Sequence, residues 1–310
     1  MPVACVTGAT GMIGRRIVDQ LIAIGYTVRV LTRRRFESMR VHVFRGSLSD
    51  LSVMEQFICG ADAVFHCAAE LVDDSRMQST NVDGTRLLAA LVDNHRVKYL
   101  CYLSSAGVVG ETSLCIVYED CPCRPQNLYE KTKLEAERIV EQPIVGCRTV
   151  ILRPTNVIDA NHLGELGLAV SGTFLSWLKA VFKGAECAHI VHADDVANAA
   201  LFFLTRTGFP SPQKYFVSID EDPENTVANL WMAYRDIRSG KIHGKASWPF
   251  PHVPSSIPYH LRLMSGRPSN HGETKYSSRK LLAEGFVYSK GVRESIKAVL
   301  LERERNSVKF

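Results

Sequence analysis

Short apolar runs alternate with longer stretches in which apolar residues recur at helical spacing, and the two patterns take turns from the start of the chain to about residue 155. The apolar runs predict strands at Val3 to Val6, Thr27 to Leu31, Val41 to Phe44, Ala63 to His66, Tyr99 to Ser104 and Thr149 to Leu152, with Tyr215 to Ile219 returning later. Helices are predicted to begin near Met12, Leu51, Asn81, Tyr129 and Ala193. The last of these opens Ala-Asp-Asp-Val-Ala-Asn-Ala-Ala, with its acids at the positive end of the helix dipole. Strands and helices in alternation, separated by short breaks, argue for a parallel sheet wrapped by helices on both faces. The alternation fades after about residue 155 and again after 220, and Trp248 to Pro258 holds too many prolines for helix or central strand. The expected organisation is a sheet domain over 1–155 and about 189–219. Residues 156–188 and 220–310 are expected to form a smaller, discontinuous substrate lobe over the carboxyl ends of the strands, where open sheets bind ligands.

The first strand runs straight into Thr7-Gly8-Ala9-Thr10-Gly11-Met12-Ile13-Gly14 and then the helical Arg15-Arg16-Ile17-Val18. Strand, glycine turn and helix in that order are the context of a dinucleotide fingerprint. Gly8 permits the tight turn, Gly11 lets the backbone approach a pyrophosphate, Gly14 lets helix and strand close up, and the helix N-terminus offers free N–H groups. Gly8, Thr10, Gly11, Met12, Ile13 and Gly14 are therefore expected to hold a dinucleotide on a Rossmann-type, doubly wound α/β sheet. An NAD-preferring site places a carboxylate on the ribose 2′-hydroxyl about 20 residues beyond the glycines. Here the second strand leads into Thr32-Arg33-Arg34-Arg35 instead. Guanidinium groups grip a 2′-phosphate bidentately and no acid is at hand for the bare ribose, so NADP(H) is favoured over NAD(H), with Arg33 and Arg34 as the expected contacts.

Tyr129 and Lys133 stand four apart in Tyr129-Glu-Lys-Thr-Lys133, so on a helix they leave the same face one turn apart. An ammonium held near a phenol stabilises the phenolate against its ordinary pKa of about 10, which predicts a Tyr129 able to exchange protons near neutral pH. Ser104 and Ser105 close the fifth strand, at the crevice end of the sheet. A hydroxyl there can hold a substrate oxygen while the phenol moves its proton.

Composition narrows the class. The chain has 310 residues, 46% hydrophobic and 22% charged, which suits one enzyme-sized unit, and no apolar run is long enough to span a bilayer. The net charge of +5 is spread out, with no arginine stripe interleaved with aromatics, and so favours small anionic ligands over nucleic acid. A strand beginning at residue 2 leaves no room for a signal peptide, so a cytoplasmic location and reduced thiols are expected for the nine cysteines. Cys5, Cys59, Cys67, Cys101 and Cys147 lie in or beside apolar stretches and are expected to behave as small hydrophobes. Cys121 and Cys123, without a second pair or flanking histidines, make a poor zinc site, and no metal is expected. His66, His189 and His192, each near an apolar strand, read as satisfied core or edge residues rather than ligands.

Taken in order, these segments resemble the extended branch of the short-chain dehydrogenase/reductase family, in its nucleotide-sugar epimerase, dehydratase and reductase group, over essentially the whole chain. The matching stretches are Thr7 to Gly14, Asp62-Ala-Val-Phe-His-Cys-Ala-Ala69, Asn81-Val-Asp-Gly-Thr85, Leu103-Ser-Ser-Ala-Gly-Val-Val-Gly110 and Tyr129 to Lys133. They continue with Leu152-Arg-Pro-Thr-Asn156, Ile190-Val-His-Ala-Asp-Asp-Val-Ala197 and Tyr276 to Phe286. The resemblance implies that Ser105, Tyr129 and Lys133 form a catalytic triad, with Tyr129 and Lys133 also touching the cofactor and Lys133 bonding the nicotinamide ribose. It implies that Ala68 and Ala69 pass along the cofactor and that Leu48 borders the adenine. Asn156 falls where the family touches a substrate phosphate, Arg267 resembles an arginine that binds a sugar nucleotide's pyrophosphate, and a homodimer is implied. Three departures bear on the substrate. Ser47 stands where an aspartate usually precedes Leu48, Val109 replaces a frequent tyrosine, and the stretch from Leu178 to Ile190 lacks the common Gly-x-Arg-Asp. Ala106-Gly107 also lacks the acid and base pair of the dehydratases. The expected function is NADP(H)-dependent reduction or epimerisation of a nucleotide-linked keto sugar, a small-molecule substrate, with Tyr129 as general acid and base. Two alternatives stay open: reduction of a hydrophobic ketone, as in the dihydroflavonol reductase group, and a non-catalytic NADP(H) sensor.

Overall fold

The apolar runs become a seven-stranded sheet in a computed structural model. It describes residues 1–307 apart from 37, 39, 207, 209, 240–252, 255, 258–259, 261–263 and 265–271. Arg267 and most of the stretch from Trp248 to Pro258 lie outside the described residues. The strands are β1 (Val3–Thr7), β2 (Thr27–Thr32), β3 (Val41–Arg45), β4 (Ala63–His66), β5 (Tyr99–Leu103), β6 (Ile116–Val117), β7 (Arg148–Pro154), β8 (Asn156–Ile158), β9 (Ile190–His192), β10 (Gln213–Val217) and β11 (Lys275–Tyr276). The large sheet runs β3-β2-β1-β4-β5-β7-β10, and its pairings from β3 through β7 are all parallel. The chain builds outward from β1 to β3, then crosses back to lay β4 against the other side of β1. That reversal opens a crevice at the carboxyl ends of β1 and β4, where doubly wound sheets take their ligands.

The helices are α1 (Met12–Ala23), α2 (Leu51–Ile58), α3 (Asp74–Met77), α4 (Gly84–Asn94), α5 (Leu128–Val140), α6 (Leu166–Ser171), α7 (Phe174–Lys183), α8 (Ala193–Phe202) and α9 (Val227–Arg238), followed by Arg279–Ala283 and Val292–Ser307. Met54, Phe57 and Ile58 of α2, Leu88 and Leu91 of α4 and Ala136 and Val140 of α5 share one core with Val64, Leu100, Tyr102 and Ile151 of the sheet. Burying such side chains is the main driving force for closing helices onto strands, at about 25 cal/mol per Å² of apolar surface.

The chain divides into two compact units. The first is Met1–Val108, Pro125–Arg153 and Val196–Tyr215; the second is Val109–Arg124, Pro154–Asp195 and Phe216–Phe310. These boundaries differ from the expected ones at Val109–Arg124, because β6 in that segment pairs with β11, Ile116 beside Lys275 and Val117 beside Tyr276. They differ again near residue 190, because β9 pairs with β8. The second unit has its own core of Ile158, Leu166, Leu230, Ile296 and Val299.

Two further expectations change. The helix placed near Asn81 begins at Asp74 and passes through a π-helical segment, Gln78–Asp83, before α4. Such widened turns often mark functional sites. The segment holds Asn81, whose side chain accepts from Glu70 N at 2.7 Å and donates to Glu70 O at 3.0 Å and Thr132 Oγ1 at 3.0 Å. Cys59 is exposed rather than buried with the apolar residues before it, because it caps the C-terminus of α2.

Candidate active site

The glycine turn is shaped by backbone contacts that a side chain would break. Gly8 has φ +68°, and a Cβ on it would lie 2.6 Å from Ala68 N and 2.7 Å from Cys67 O. A Cβ on Gly14 would come within 2.3 Å of Gly8 O. Gly11 is different: its Cβ would meet only Gly8 O, at 3.2 Å, so the protein itself asks less of it and the space in front stays open. Gly11 precedes α1 in extended conformation, with no side-chain cap and no acid in the first turn. A diphosphate laid there meets backbone N–H groups and no competing carboxylate, which is what a dinucleotide requires. Thr10 is exposed, Met12 and Ile13 are half-buried, and Ala68 and Ala69 continue from β4 past the same turn.

Around the rest of the expected cofactor path, Leu48 is buried against Gly84 of α4. Arg33, Arg34 and Arg35 are exposed after β2, on a turn in which Thr32 Oγ1 accepts from Arg34 N at 3.0 Å. The sequence pattern gave no reason to single out Arg15. It sits in the first turn of α1 and brings its guanidinium 5.3 Å from the Phe36 ring, at the same basic corner. Its only signal was its place directly after Gly14.

Helix α5 carries the second half of the site. Asn127 caps it by accepting from Glu130 N at 2.9 Å, and Thr132 Oγ1 donates to Tyr129 O at 3.0 Å, so Asn81 braces this turn through Thr132. Ser105 Oγ accepts from Gly107 N at 3.0 Å and hydrogen-bonds the Tyr129 side chain. Lys133 Nζ donates to Leu103 O at 2.5 Å and lies 4.2 Å from the Tyr102 ring centroid. Ser105 and Tyr129 are thus brought together from a strand end and a helix, and Lys133 leaves that helix one turn on with its head on Leu103 O.

The expected acidification of Tyr129 does not appear. Burial pushes its phenol up to about 12, outweighing the Ser105 hydrogen bond that favours the phenolate, and Glu130 pushes the same way as burial. Lys133 is not among the groups that shift it, since its head is committed to Leu103 O and the Tyr102 ring. Burial also pulls Lys133 itself down to about 7, against the opposing pull of Glu137 and Cys67. Tyr129 is therefore set as a proton donor.

Glu137 continues the series Tyr129, Lys133 by one more turn and was not anticipated, although the spacing of four was its signal. It is fully buried, accepts from Ser104 Oγ at 2.7 Å and Arg153 Nε at 3.1 Å, and pairs with Arg153 Nη2. In the second unit, Asn156 is exposed on β8, with its backbone N–H on His189 O at 2.8 Å and its side-chain amide on Ala188 O at 3.1 Å. Among the described residues no helix is long and apolar enough to cross a membrane.

Comparison with known proteins places the chain in a family. A ketoreductase of Stigmatella aurantiaca acting on 4-hydroxy-2-methyl-3-oxo-4-farnesyl-3,4-dihydroquinoline-1-oxide is 25% identical over 225 residues, covering 69% of this chain and 67% of that protein. A UDP-glucose 4-epimerase of Dictyostelium discoideum is 32% identical over 187 residues, covering 52% of this chain and 54% of that enzyme. With several curated relatives the chain spans about half their length. The Bordetella bronchiseptica enzyme WbmH, solved in complex with NAD+, shares the fold with TM-score 0.74 over 99% of both chains at 21% identity. The model of the NAD dependent epimerase/dehydratase family matches residues 4–217, and the chain belongs to that family of nicotinamide-cofactor enzymes.

Proposed function

We propose that this protein is an NADP(H)-dependent oxidoreductase that reduces a carbonyl, or oxidises the matching secondary alcohol, with Tyr129 as general acid and base. What supports the reading is Ser105 beside Tyr129, a phenol that keeps its proton, with Lys133 one turn further along the same helix. Gly8, Gly11 and Gly14 would hold the cofactor's diphosphate, Ala68 and Ala69 would flank it, and Arg33 and Arg34, with Arg15 beside them, would grip a 2′-phosphate. A bound nicotinamide supplies or takes up the hydride. Ser105 holds the substrate oxygen by hydrogen bond, and Tyr129 gives its proton to that oxygen as negative charge develops on it. Lys133, once its ammonium faces the cofactor ribose, favours the phenolate that is left behind.

For the substrate we infer a nucleotide-linked keto sugar, with Asn156 toward its phosphate and Arg267 toward its pyrophosphate. This reading draws on the epimerases among the relatives. A reductase of an apolar ketone is the second reading, favoured by the Stigmatella ketoreductase and by the lack of the common Gly-x-Arg-Asp between Leu178 and Ile190. The test is NADPH oxidation by the purified full chain with a UDP-linked 4-keto sugar and, separately, with a prenylated cyclic ketone. Stoichiometric oxidation with one selects that class; conversion of a UDP-sugar without net cofactor change selects epimerisation. Failure of both, with NADPH bound, would leave only the sensor.

A further inference from the structure

The second unit carries a helix whose large apolar side faces outward. Helix α7 packs on α6 and α9 through small residues: Ser176 and Ala180, one turn apart, are its buried positions. Phe174, Leu175, Leu178 and Phe182, at i, i+1, i+4 and i+8, form a single stripe on the opposite side. In a helix that closes a core, such a stripe is the buried one. Here Phe174 is 75% exposed, Leu175 61% and Phe182 45%, with Leu178 half-buried. The exposure does not come from fraying at the helix start. Thr173 Oγ1 accepts from Ser176 N at 3.2 Å, Ser176 Oγ donates to Thr173 O at 2.7 Å, and the Trp177 ring lies 5.4 Å from that of Phe174. A continuous exposed stripe of this kind marks a contact with something apolar.

We propose that the outward face of α7 docks on the surface of a bilayer rich in anionic lipid. Charge selects this partner. Between Leu166 and Ala185 the charged residues are Lys179 and Lys183, with no Asp or Glu among them. Lys183 is paired with Glu165, and Lys179 is exposed directly after Leu178 of the stripe. Aromatic and aliphatic side chains on one face, with lysine beside them, are the composition of a helix that lies in the lipid interface. A second copy of the chain fits less well. A two-fold contact would lay this face on itself and bring lysine toward lysine, with no acid on the stripe to pair them. Anionic headgroups supply the missing charge. At 1.5 Å per residue the ten residues of α7 extend about 15 Å, half the thickness of the hydrocarbon layer, so the helix lies along the interface rather than across it.

In the docked protein the rings of Phe174 and Phe182 and the side chain of Leu175 enter the boundary of the acyl chains. Lys179 lays its stem along the apolar surface and keeps its ammonium among the headgroups. Moving one such apolar side chain out of water changes partition by about tenfold or more. One lysine near an anionic surface contributes about fivefold. Both are needed for attachment, and neither makes it irreversible. A consequence reaches the chemistry, because a ketone dissolved in lipid meets a docked protein at a higher local concentration than one in water. That consequence rests on the apolar-ketone reading above; the docking does not.

The experiment is flotation of the full-length protein with vesicles of phosphatidylcholine alone and of phosphatidylcholine with about one-third phosphatidylglycerol. The native protein is expected to float with the anionic vesicles. At about 1 M salt, where the Debye length falls to about 3 Å, it should float no better than with the neutral ones. Phe174→Ser combined with Phe182→Ser should lower partition by at least about tenfold. Lys179→Gln should lower it about fivefold on anionic vesicles and leave neutral vesicles unchanged. These side chains are exposed, so the urea midpoints of the variants should match that of the native protein. No flotation of the native protein overturns the proposal whether or not the variants fold, and so does flotation that the folded double variant keeps. Dimerisation in light scattering that the double variant abolishes, without vesicle binding, also overturns it and assigns the face to a second copy. Loss of ketone turnover in the double variant, without flotation of the native protein, overturns it in favour of a substrate wall. If flotation follows the expected pattern while neither keto sugar nor ketone is turned over, the docking face stands and the reading of the reaction falls.

Discussion

Two histidines in the two units, one fully buried and one partly, end in different charge states. His66, at the end of β4, is fully buried between Thr7 Oγ1 at 2.7 Å and Thr85 Oγ1 at 2.9 Å. Burial, helped by the Lys133 charge, drives it down to about 3. Burial would lower His189 too, yet the Asp220 carboxylate, with Cys187, carries it up to about 10. Hydroxyl partners satisfy hydrogen bonds without neutralising charge, so a buried base beside them stays neutral; a buried carboxylate reverses the balance. The first unit thus leans toward neutral bases around its crevice, Lys133 included at about 7, and leaves the charge of that site to be completed by a ligand. The second unit carries a cation of its own.

The largest effect expected from this contrast is at the phenol. Tyr129→Phe should lower carbonyl-reduction turnover by about 10³-fold, the range of a positioned acid, while NADPH binding followed by fluorescence is kept. A near-normal rate would remove Tyr129 from the chemistry. Next comes Glu137, the carboxylate that does stand near Lys133. Glu137→Ala removes the carboxylate that pairs with buried Arg153, and a loss of about 3–5 kcal/mol in urea denaturation is expected, with Glu137→Gln milder because its amide still accepts. Equal losses for the two variants would mean that shape, not charge, is what Glu137 provides.

Much of the first unit was legible in the chain. The seven apolar runs all became strands of the large sheet, and the glycine spacing gave the turn, because strand and turn rules are local. Ser105 beside Tyr129 required the fold, but strand-end and helix-face logic were enough to anticipate it. What was not legible depended on tertiary surroundings. The acidified phenol failed because burial is invisible in a spacing of four, and Glu137 was overlooked because its partner Arg153 arrives from a distant strand. In the second unit β8 and β9 have three residues each, too few for a period to show, and His189 read as a satisfied edge residue because Asp220 lies 31 positions away.

If the first unit relies on its ligand for charge, the basic corner should decide which ligand. Replacing Arg33 and Arg34 together by serine removes charge-assisted hydrogen bonds worth about 1.5–3 kcal/mol each at best. The ratio of kcat/KM for NADPH over NADH should fall about tenfold or more. An unchanged ratio would hand the 2′-phosphate to Arg15 and Arg35, and Arg15→Ser would then show the loss.

The smallest and most direct test of the contrast is the dependence of stability on pH, where the two histidines pull with opposite sign. The folded-state pKa of His66 is depressed to about 3, so between pH 6.5 and about 3 the unfolded chain takes up a proton that the folded protein refuses. Stability from this residue is therefore present above 6.5 and lost as pH falls. The folded-state pKa of His189 is raised to about 10, so its contribution is present below 6.5 and lost as pH rises from there toward 10. Each slope is at most about 1.4 kcal/mol per pH unit for one proton, so within a unit of pH 6.5 the changes are small but of readable sign. His66→Gln should flatten the acid limb in urea midpoints and leave the alkaline limb alone, and Asp220→Asn should do the reverse. If both variants flatten the same limb, the partner does not set the charge of these two imidazoles, and the contrast between the units fails with it.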